Sequence, residues 1–345
     1  MKSTPAQVLI SRRIFPEFLE RLQAHFEVRD NQDDAQWNAT DLAVRVAQVD
    51  AVLLDPTSRL DAPTIAACPR LRLVSNIAVG YNNVDVAACT QAGIPVTNTP
   101  DVLTDATADH AWALLMSAAR RVVEADRWTR AGKWQRFGFD SFLGAQVHGA
   151  TLGIYGMGRI GRAIAQRARG FAMRTIYHNR RAPSSSTPGA DEQLARWVPR
   201  EELLQTSDFL VVVVPYSAET HHLVGAGELA RMKEGSILIN IARGGVIDDA
   251  ALVRALRAGR PAGAALDVME NEPAFNSALL ELENVVLTPH IGSATSNARR
   301  GMVRLAIENL EAVLSGRRPD ALVNPEVWER RRQFIPSAAL RAGEG

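Results

Sequence analysis

The chain contains very little lysine. Its only lysines are Lys2, Lys133 and Lys233, so nearly all of its 39 basic residues are arginines. No tyrosine is followed by lysine with the spacing Tyr-x-x-x-Lys, and no lysine stands in a Gly-Lys-Ser/Thr sequence. Because a short-chain dehydrogenase needs the first pattern and a P-loop ATPase needs the second, both classes are excluded.

Cysteine is scarce as well. Cys68 and Cys89 are the only two, which is too few for a disulfide framework, and neither lies at a metal-ligand spacing. We expect both to pack as small apolar residues in a reducing compartment. Since clustered Cys and His ligands are lacking, a zinc alcohol dehydrogenase is excluded and the sequence predicts no metal site.

The sequence also lacks long apolar runs and an excess of charge. No apolar stretch reaches the length of about 18 residues that a membrane span needs, and residues 1–10 do not resemble a signal peptide. The 38 acidic residues nearly balance the basic ones, giving a net charge of +1 and no reason to expect nucleic acid or a membrane as partner. We expect a cytoplasmic enzyme.

The length of 345 residues, 46% of them hydrophobic, suggests two α/β domains. Short apolar runs alternate with helical patterns, which favours doubly wound parallel sheets. The segment 131–149 reads as an irregular arm with exposed aromatic residues that are available for a partner subunit. We predict strands at 7–11, 51–55, 71–76, 94–97, 151–155, 174–178, 209–215, 237–241, 262–268 and 285–288. We predict helices at 15–25, 61–67 and 296–314, and one or two helices within 101–128.

A glycine-rich turn predicts a nucleotide site. The apolar strand at 151–155 leads into Gly156-Met157-Gly158-Arg159-Ile160-Gly161, and a helix with apolar spacing leaves it. Gly156 permits the tight turn, Gly158 lets the backbone approach a pyrophosphate, and Gly161 lets the helix pack on the strand. The free N–H groups of the helix then meet the phosphates. This context favours dinucleotide binding over an ordinary strand–turn–helix.

The end of the next strand distinguishes NAD from NADP. It reads Tyr177-His178-Asn179-Arg180-Arg181, with no carboxylate to accept the ribose 2′-hydroxyl before Asp191. Arg180 and Arg181 can pair with a 2′-phosphate, and Asn179 can hydrogen-bond it. The alternative is two solvated arginines beside a polar loop at 183–189. We favour NADPH over NADH.

Arg243 ends a buried strand and is followed by two glycines. The carboxyl ends of parallel strands are where ligands bind in such sheets. A guanidinium there suits a two-pronged grip on a carboxylate and a neighbouring ketone oxygen. An arginine in a surface turn is the alternative, which this setting makes less plausible.

His290 follows the last strand of the same predicted unit, and Glu272 follows the strand before it. A carboxylate can stabilise a protonated imidazole and fix its tautomer, which makes such a histidine a candidate proton donor. Asp267, at the strand end before Glu272, is a second negative group in the same region. The other histidines considered, which are His110, His148, His221 and His222, lack this setting, and we interpret them as structural or exposed.

Together these motifs resemble the D-isomer-specific 2-hydroxyacid dehydrogenase family, from about residue 51 to residue 324. Ser75 to Asp85 resembles the family's substrate loop, and Pro100 to Ala108 resembles its crossover into the cofactor domain. The resemblance implies two Rossmann-like or flavodoxin-like domains with a cleft between them. Residues 1–100 and 294–325 would bind substrate and residues 101–293 the dinucleotide, leaving an Arg-rich tail at 326–345, which we expect to lack fixed structure.

The resemblance also implies roles for individual residues. Arg243, Glu272 and His290 would be catalytic, and the N–H groups of Val79 and Gly80 would bind the substrate carboxylate together with Arg243 and His290. The implied cofactor-binding positions are Thr107, Gly156, Gly158, Arg159, Ile160, Gly161, Asn179, Arg180, Arg181, Val214, Pro215, Ile241, Ala242, Asp267 and Gly292.

Within the family, residues 79–83, 178–181 and 290–295 are most similar to NADPH-preferring glyoxylate/hydroxypyruvate reductases and 2-ketogluconate reductases. This implies reduction of small 2-keto acids to D-2-hydroxy acids by a homodimer, with His290 as proton donor. Formate dehydrogenases of this fold carry Gln at the position of Glu272, and phosphoglycerate dehydrogenases usually carry an acid near His178. The alternative is a non-catalytic, nicotinamide-sensing protein similar to a corepressor. The presence of the complete catalytic set argues against it.

Overall fold

The short apolar runs of the sequence form the strands of two separate sheets, and every strand pair in both is parallel. The computed structural model describes residues 5–182 and 194–332. The chain divides into unit 1, Met1–Leu103 with Thr295–Gly345, and unit 2, Thr104–Ala294. Among the described residues, no helix is both long and apolar enough to cross a membrane.

Unit 1 begins with five strands in the order β2-β1-β3-β4-β5. β3 and β4 are buried along their whole length, as expected for strands covered on both faces. Asn38, Asp61 and Asp85 begin three of the helices by accepting a hydrogen bond from the backbone N–H three residues on. The elements are β1 (Gln7–Ile10), α1 (Pro16–Gln23), β2 (Glu27–Arg29), α2 (Ala39–Val46), β3 (Ala51–Leu54), α3 (Ala62–Ala66), β4 (Leu73–Asn76), α4 (Val86–Gln91) and β5 (Val96–Thr97).

Unit 2 contains a seven-stranded sheet in the order β12-β11-β10-β9-β6-β7-β8. The strand order reverses between β6 and β9, which marks the switch point where ligands bind in open α/β sheets. Its elements are α5 (Thr104–Ala119), α6 (Val122–Arg130), β6 (Thr151–Tyr155), α7 (Arg159–Ala168), β7 (Arg174–His178), β8 (Arg196–Trp197), α8 (Arg200–Thr206), β9 (Phe209–Val212), α9 (Ala226–Arg231), β10 (Ile237–Asn240), α10 (Asp249–Arg257), β11 (Gly263–Leu266) and β12 (Val285–Leu287).

The strands and the segment 131–149 largely agree with the sequence predictions. All the predicted strands are present, most of them shorter at one end. β2 and β8 were not predicted, because both are edge strands without an apolar run: Glu27 and Arg29 of β2 and Arg196 of β8 are exposed. The arm at 131–149 contains neither helix nor strand, and Trp134, Phe137 and Phe139 are 65%, 75% and 92% exposed.

The chain ends in unit 1 with α11 (Ser296–Leu314), and Gly316 follows it with a φ of 82°. The expectation that structure stops at residue 326 is wrong for the first part of that tail. Pro325–Arg330 forms a 3₁₀ helix in which Val327 and Trp328 are buried, and the guanidinium of Arg332 donates to the carbonyl oxygen of Cys68 at 2.9 Å. Residues 333–345 and the predicted loop at 183–189 lie outside the described residues.

Candidate active site

The glycine-rich turn has the geometry that its sequence predicts. Gly156 has a φ of 111°, in the region that favours glycine, and a Cβ on Gly161 would stand 2.3 Å from the carbonyl oxygen of Gly156. A Cβ on Gly158 would meet nothing within 4 Å. Gly158 is the residue that precedes α7, so Arg159 and Ile160 begin the helix beside open space. This cradle, with the N-terminus of α7 at its side, fits a pyrophosphate.

The residues after β7 border this turn. The side-chain oxygen of Asn179 accepts a hydrogen bond from the backbone N–H of Met157 at 2.7 Å, which ties the strand end to the glycine turn. The Arg180 guanidinium pairs with Glu219, and the two side chains are 78% and 71% exposed. Arg181 is exposed. Two arginines and an amide therefore follow β7, as the sequence predicts.

Other positions predicted to contact the cofactor surround the carboxyl ends of the central strands. Val214 and Pro215 follow β9, and a Cβ on Gly156 would stand 3.0 Å from Cγ1 of Val214. Ile241 and Ala242 follow β10 and are buried. A Cβ on Gly292 would stand 3.5 Å from Cγ2 of Thr107, so the α5 helix and the loop after β12 approach closely.

Arg243 lies on the loop after β10. Its guanidinium donates to the carbonyl oxygen of Ala242 at 2.8 Å, and burial lowers its pKa while the negative charge of Glu272 opposes that shift. Gly244 is required next to it, since a Cβ there would stand 1.8 Å from the carbonyl oxygen of Met269. The loops after β10 and β11 are thus in direct backbone contact, which brings Arg243 and Glu272 into one region.

Glu272 and His290 form the predicted pair. Oε2 of Glu272 lies 2.9 Å from Nδ1 of His290, and Oε1 accepts a hydrogen bond from the backbone N–H of Met269 at 2.8 Å. The His290 side chain is 39% exposed, so its ring is accessible to a small molecule. A carboxylate on Nδ1 leaves Nε2 as the nitrogen that can exchange a proton with a ligand.

Asp267 fixes the loop that carries His290. Its buried carboxylate accepts hydrogen bonds from the backbone N–H groups of Ile291 and Gly292, at 2.8 and 2.7 Å, and from the Thr288 hydroxyl at 2.6 Å. Burial alone would raise the pKa of Asp267, but hydrogen bonds from His110, Thr288 and Ile291 outweigh it and hold the pKa below its usual value. Among the described residues, the Asp267 carboxylate thus contacts this loop and His110, and not the His290 ring.

In unit 1, the predicted substrate loop is held through its carbonyl oxygens. The Asn98 side chain donates to the carbonyl oxygen of Val79, and the Asn76 side chain donates to that of Gly80, both at 2.8 Å. The Asn83 side chain donates in turn to Asn76 at 3.0 Å. These contacts engage the carbonyl oxygens of Val79 and Gly80 and not their N–H groups.

Two of the histidines that were interpreted as structural or exposed have a carboxylate partner. His110 Nε2 lies 3.1 Å from the Asp267 carboxylate, and His222 Nε2 lies 3.2 Å from both oxygens of Glu270. Both rings therefore have a carboxylate partner, which they were expected to lack. The partners stand 157 and 48 residues away along the chain, so no local pattern indicates them.

Two buried polar residues near the site were not predicted at all. Asn240, at the end of β10, accepts from the N–H of Ala242 at 3.1 Å and donates to the carbonyl oxygen of Val268 at 3.4 Å. Asp249 accepts from the N–H of Glu270 at 2.9 Å, and burial, helped by the charges of Glu270 and Asp248, raises its pKa to about 6. Both join the loops that carry Arg243 and Glu272.

Comparison with known proteins shows the family and several relatives that the chain resembles. Residues 112–292 match the family model of the D-isomer specific 2-hydroxyacid dehydrogenase, NAD binding domain. The chain is 49% identical over 326 residues to a glyoxylate reductase of Thermococcus gammatolerans, a match that covers 93% of this chain and 96% of that protein. A glyoxylate reductase of Pyrococcus horikoshii is 47% identical over 330 residues, covering 94% and 98% of the two chains.

A solved structure is similar over nearly the whole chain. It is an NADPH-dependent glyoxylate/hydroxypyruvate reductase from Sinorhizobium meliloti in complex with NADP and malonate. It is 36% identical, with a TM-score of 0.84, and the match covers 96% of this chain and 100% of that one.

The glycine turn gives a paired prediction about stability. We expect Gly161→Ala to lower the free energy of unfolding by about 1–3 kcal/mol, because the new methyl group overlaps the carbonyl oxygen of Gly156 and must push α7 away from β6. Gly158→Ala, whose methyl group meets open space, is the matched control and should unfold near the wild-type denaturant concentration. Urea unfolding followed by circular dichroism measures both. Equal stability of the two variants would contradict the close packing at Gly161.

Proposed function

The chain belongs to the D-isomer-specific 2-hydroxyacid dehydrogenase family and is an NAD(P)-dependent dehydrogenase, and on this premise we propose that it reduces glyoxylate and hydroxypyruvate with NADPH. 2-Ketogluconate is the third candidate substrate. The relatives named glyoxylate reductase, and the related structure that holds NADP, support reduction of a small 2-keto acid.

One observation carries the proposed chemistry. Glu272 and His290 pair at 2.9 Å in unit 2, and Arg243 lies on the adjoining loop within the electrostatic influence of Glu272. A carboxylate, an imidazole and a guanidinium are the groups that 2-keto acid reduction needs: one cation for the substrate carboxylate, and one proton donor held in a fixed tautomer.

In the proposed mechanism, the glycine turn at 156–161 would hold NADPH, which would supply the hydride that reduces C2 of the keto acid. Arg243 binds the substrate carboxylate and polarises the ketone oxygen. His290, protonated and oriented through Nδ1 by Glu272, donates the proton on Nε2 to the oxygen as negative charge develops there. We assign carboxylate binding in unit 1 to the N–H groups of Val79 and Gly80, whose carbonyl oxygens are held by Asn98 and Asn76.

We propose that NADPH is preferred over NADH because of the residues after β7. No carboxylate occupies the strand end, where an acidic side chain would favour the 2′-hydroxyl of NAD. Arg180 and Arg181 follow instead, and the exposed pair of Arg180 with Glu219 costs little to separate when a phosphate arrives. The Asn179 side chain, tied to the glycine turn, would align this segment with the cofactor.

We also propose a homodimer formed through unit 2. The arm at 131–149 exposes Trp134, Phe137, Phe139 and Leu143, a concentration of apolar surface that is unusual for a monomer. A concavity of about 610 Å³ lies next to it and includes Leu143, Val123 and Val285 in its lining. A second copy of the chain is the partner that the family resemblance implies.

His290→Ala tests the catalytic assignment. We expect kcat for hydroxypyruvate with NADPH to fall by about 10²- to 10⁴-fold, because proton transfer to the forming alkoxide is lost. The dissociation constant of NADPH, measured by fluorescence titration, should stay near the wild-type value. His148→Ala, which removes an exposed histidine of the same unit, is the control and should turn over normally.

Two outcomes would contradict this assignment. Unchanged kcat in His290→Ala would remove His290 from the proton-transfer step. If the wild-type chain binds NADPH but does not oxidise it in the presence of glyoxylate, hydroxypyruvate or 2-ketogluconate, the non-catalytic, nicotinamide-sensing alternative is favoured instead.

Arg180→Ala/Arg181→Ala tests the cofactor preference. Each lost hydrogen bond to a charged group is worth about 1.5–3 kcal/mol, so we expect kcat/KM for NADPH to fall at least about tenfold while kcat/KM for NADH changes little. In Glu219→Gln, which removes the competing carboxylate of Arg180, kcat/KM for NADPH should rise. Parallel losses with both cofactors would contradict the 2′-phosphate assignment.

A further inference from the structure

A second cluster of potential ligands lies in unit 2, outside the residues assigned to the reaction. His221 and His222 lie on the loop after β9, and Glu270 lies on the loop after β11. One ligand atom from each of the three residues lies within 4.8 Å of the other two. Nε2 of His222 is 3.2 Å from both carboxylate oxygens of Glu270. None of these three residues has a role in the proposed reaction.

The backbone arranges the two histidines side by side. Successive side chains of an extended segment point in opposite directions, but His222 has a φ of 51°, in the left-handed region that few non-glycine residues adopt. The two imidazole rings consequently stack, with centroids 3.9 Å apart and planes inclined by 23°. Hydrogen bonds from the backbone N–H of His221 to Ser217 and of His222 to Gly245, at 2.9 and 2.8 Å, hold this turn.

The carboxylate is presented from a fixed backbone. The N–H of Glu270 donates to the buried carboxylate of Asp249 at 2.9 Å, and the preceding residue, Met269, is in backbone contact with Gly244. The side chains themselves remain accessible, since that of His222 is 37% exposed and that of Glu270 is 29% exposed. The backbone of Glu270 is therefore held in place, while its side chain and that of His222 can rotate and are accessible to a dissolved ion.

Two imidazoles and one carboxylate form a donor set suited to a borderline transition-metal ion. Zn²⁺ binds His nitrogen and carboxylate oxygen at about 2.0–2.2 Å, and sites with two His and one Glu keep a fourth position for water. Tetrahedral bonds of that length separate ligand atoms by about 3.3–3.6 Å. The ligand atoms of the three residues are at most 4.8 Å apart, so small side-chain rotations would bring them to the separation of a tetrahedral site. Imidazole ligands also disfavour Mg²⁺ and Ca²⁺, which prefer oxygen.

We propose that His221, His222 and Glu270 bind one Zn²⁺ ion in a site distinct from the proposed catalytic residues. The sequence predicts no metal site, and this set is not apparent in it because Glu270 lies 48 residues from His222 along the chain. The ion links the loop after β9 to the loop after β11. It also lies beside Gly245, whose Cβ position would be 3.9 Å from Glu270 and 3.5 Å from His221.

The test is a titration of the metal-free protein, without an affinity tag, with Zn²⁺ against a chromophoric chelator. We expect about one ion per wild-type chain. His221→Ala and His222→Ala should each weaken Zn²⁺ binding at least about 100-fold. Loss of a residue that only hydrogen-bonds to a metal ligand weakens binding by up to about 100-fold, and each of these variants removes a ligand itself. Glu270→Gln should weaken it at least about tenfold. With Co²⁺ in place of Zn²⁺, the wild type should show the intense visible absorption of a four-coordinate ion.

Two controls separate this site from the reaction and from other histidines. His290→Ala disrupts the proposed catalytic pair and His148→Ala removes an exposed histidine, and both variants should bind Zn²⁺ as the wild type does. Circular dichroism in the absence of metal checks that each variant folds. Should His222→Ala fail to fold, His221→Ala and Glu270→Gln still decide the question, because both side chains are accessible.

The proposal is overturned if the wild type takes up no Zn²⁺, or if binding persists in His221→Ala and Glu270→Gln. Loss of binding in His290→Ala alone would assign the ion to Glu272 and His290 instead. Because the readout is binding and not turnover, failure of the zinc site leaves the proposed function untouched, and an inactive His290→Ala variant that binds Zn²⁺ supports the site independently.

Discussion

The geometry of the candidate active site depends on the buried carboxylate of Asp267. It stands just beyond the end of β11 and accepts hydrogen bonds from Ile291, Gly292 and the Thr288 hydroxyl, so it closes the loop on which His290 is carried. Five residues further along the same segment, Glu272 meets His290 at 2.9 Å. A buried carboxylate must be compensated by such donors, which is why one side chain can fix the whole loop.

The other functional groups depend on the parallel sheet of unit 2. Its strands end at one edge, where β6 leads into the glycine turn, β7 into Asn179 and the two arginines, β10 into Arg243, and β12 into His290. Buried polar side chains join these strand ends: Asn240 connects the loops after β10 and β11, and Asp249 holds the backbone of Glu270. Cofactor-binding and catalytic chemistry therefore share a single scaffold.

Much of this arrangement is predictable from local sequence. Apolar runs indicate the buried strands, glycine spacing indicates the turn at 156–161, and strand-end positions indicate Arg243, Glu272 and His290. The edge strands β2 and β8 escape prediction because they have no apolar pattern. The contacts of His110 and His222 escape because their carboxylates are remote in sequence. The helix at Pro325–Arg330 was missed for a similar reason, since its stability comes from burying Val327 and Trp328 in unit 1.

The steady-state kinetics of Asp267→Asn test whether Asp267 positions His290. Asparagine keeps the size of the side chain but replaces one acceptor oxygen with an NH₂ group, which faces backbone N–H donors and cannot bind them. We expect kcat for hydroxypyruvate with NADPH to fall about 10²-fold, because a displacement of the His290 loop by about 1 Å is enough to misalign proton transfer. A kcat within about twofold of the wild type, in a folded variant, would contradict the claim that Asp267 positions His290.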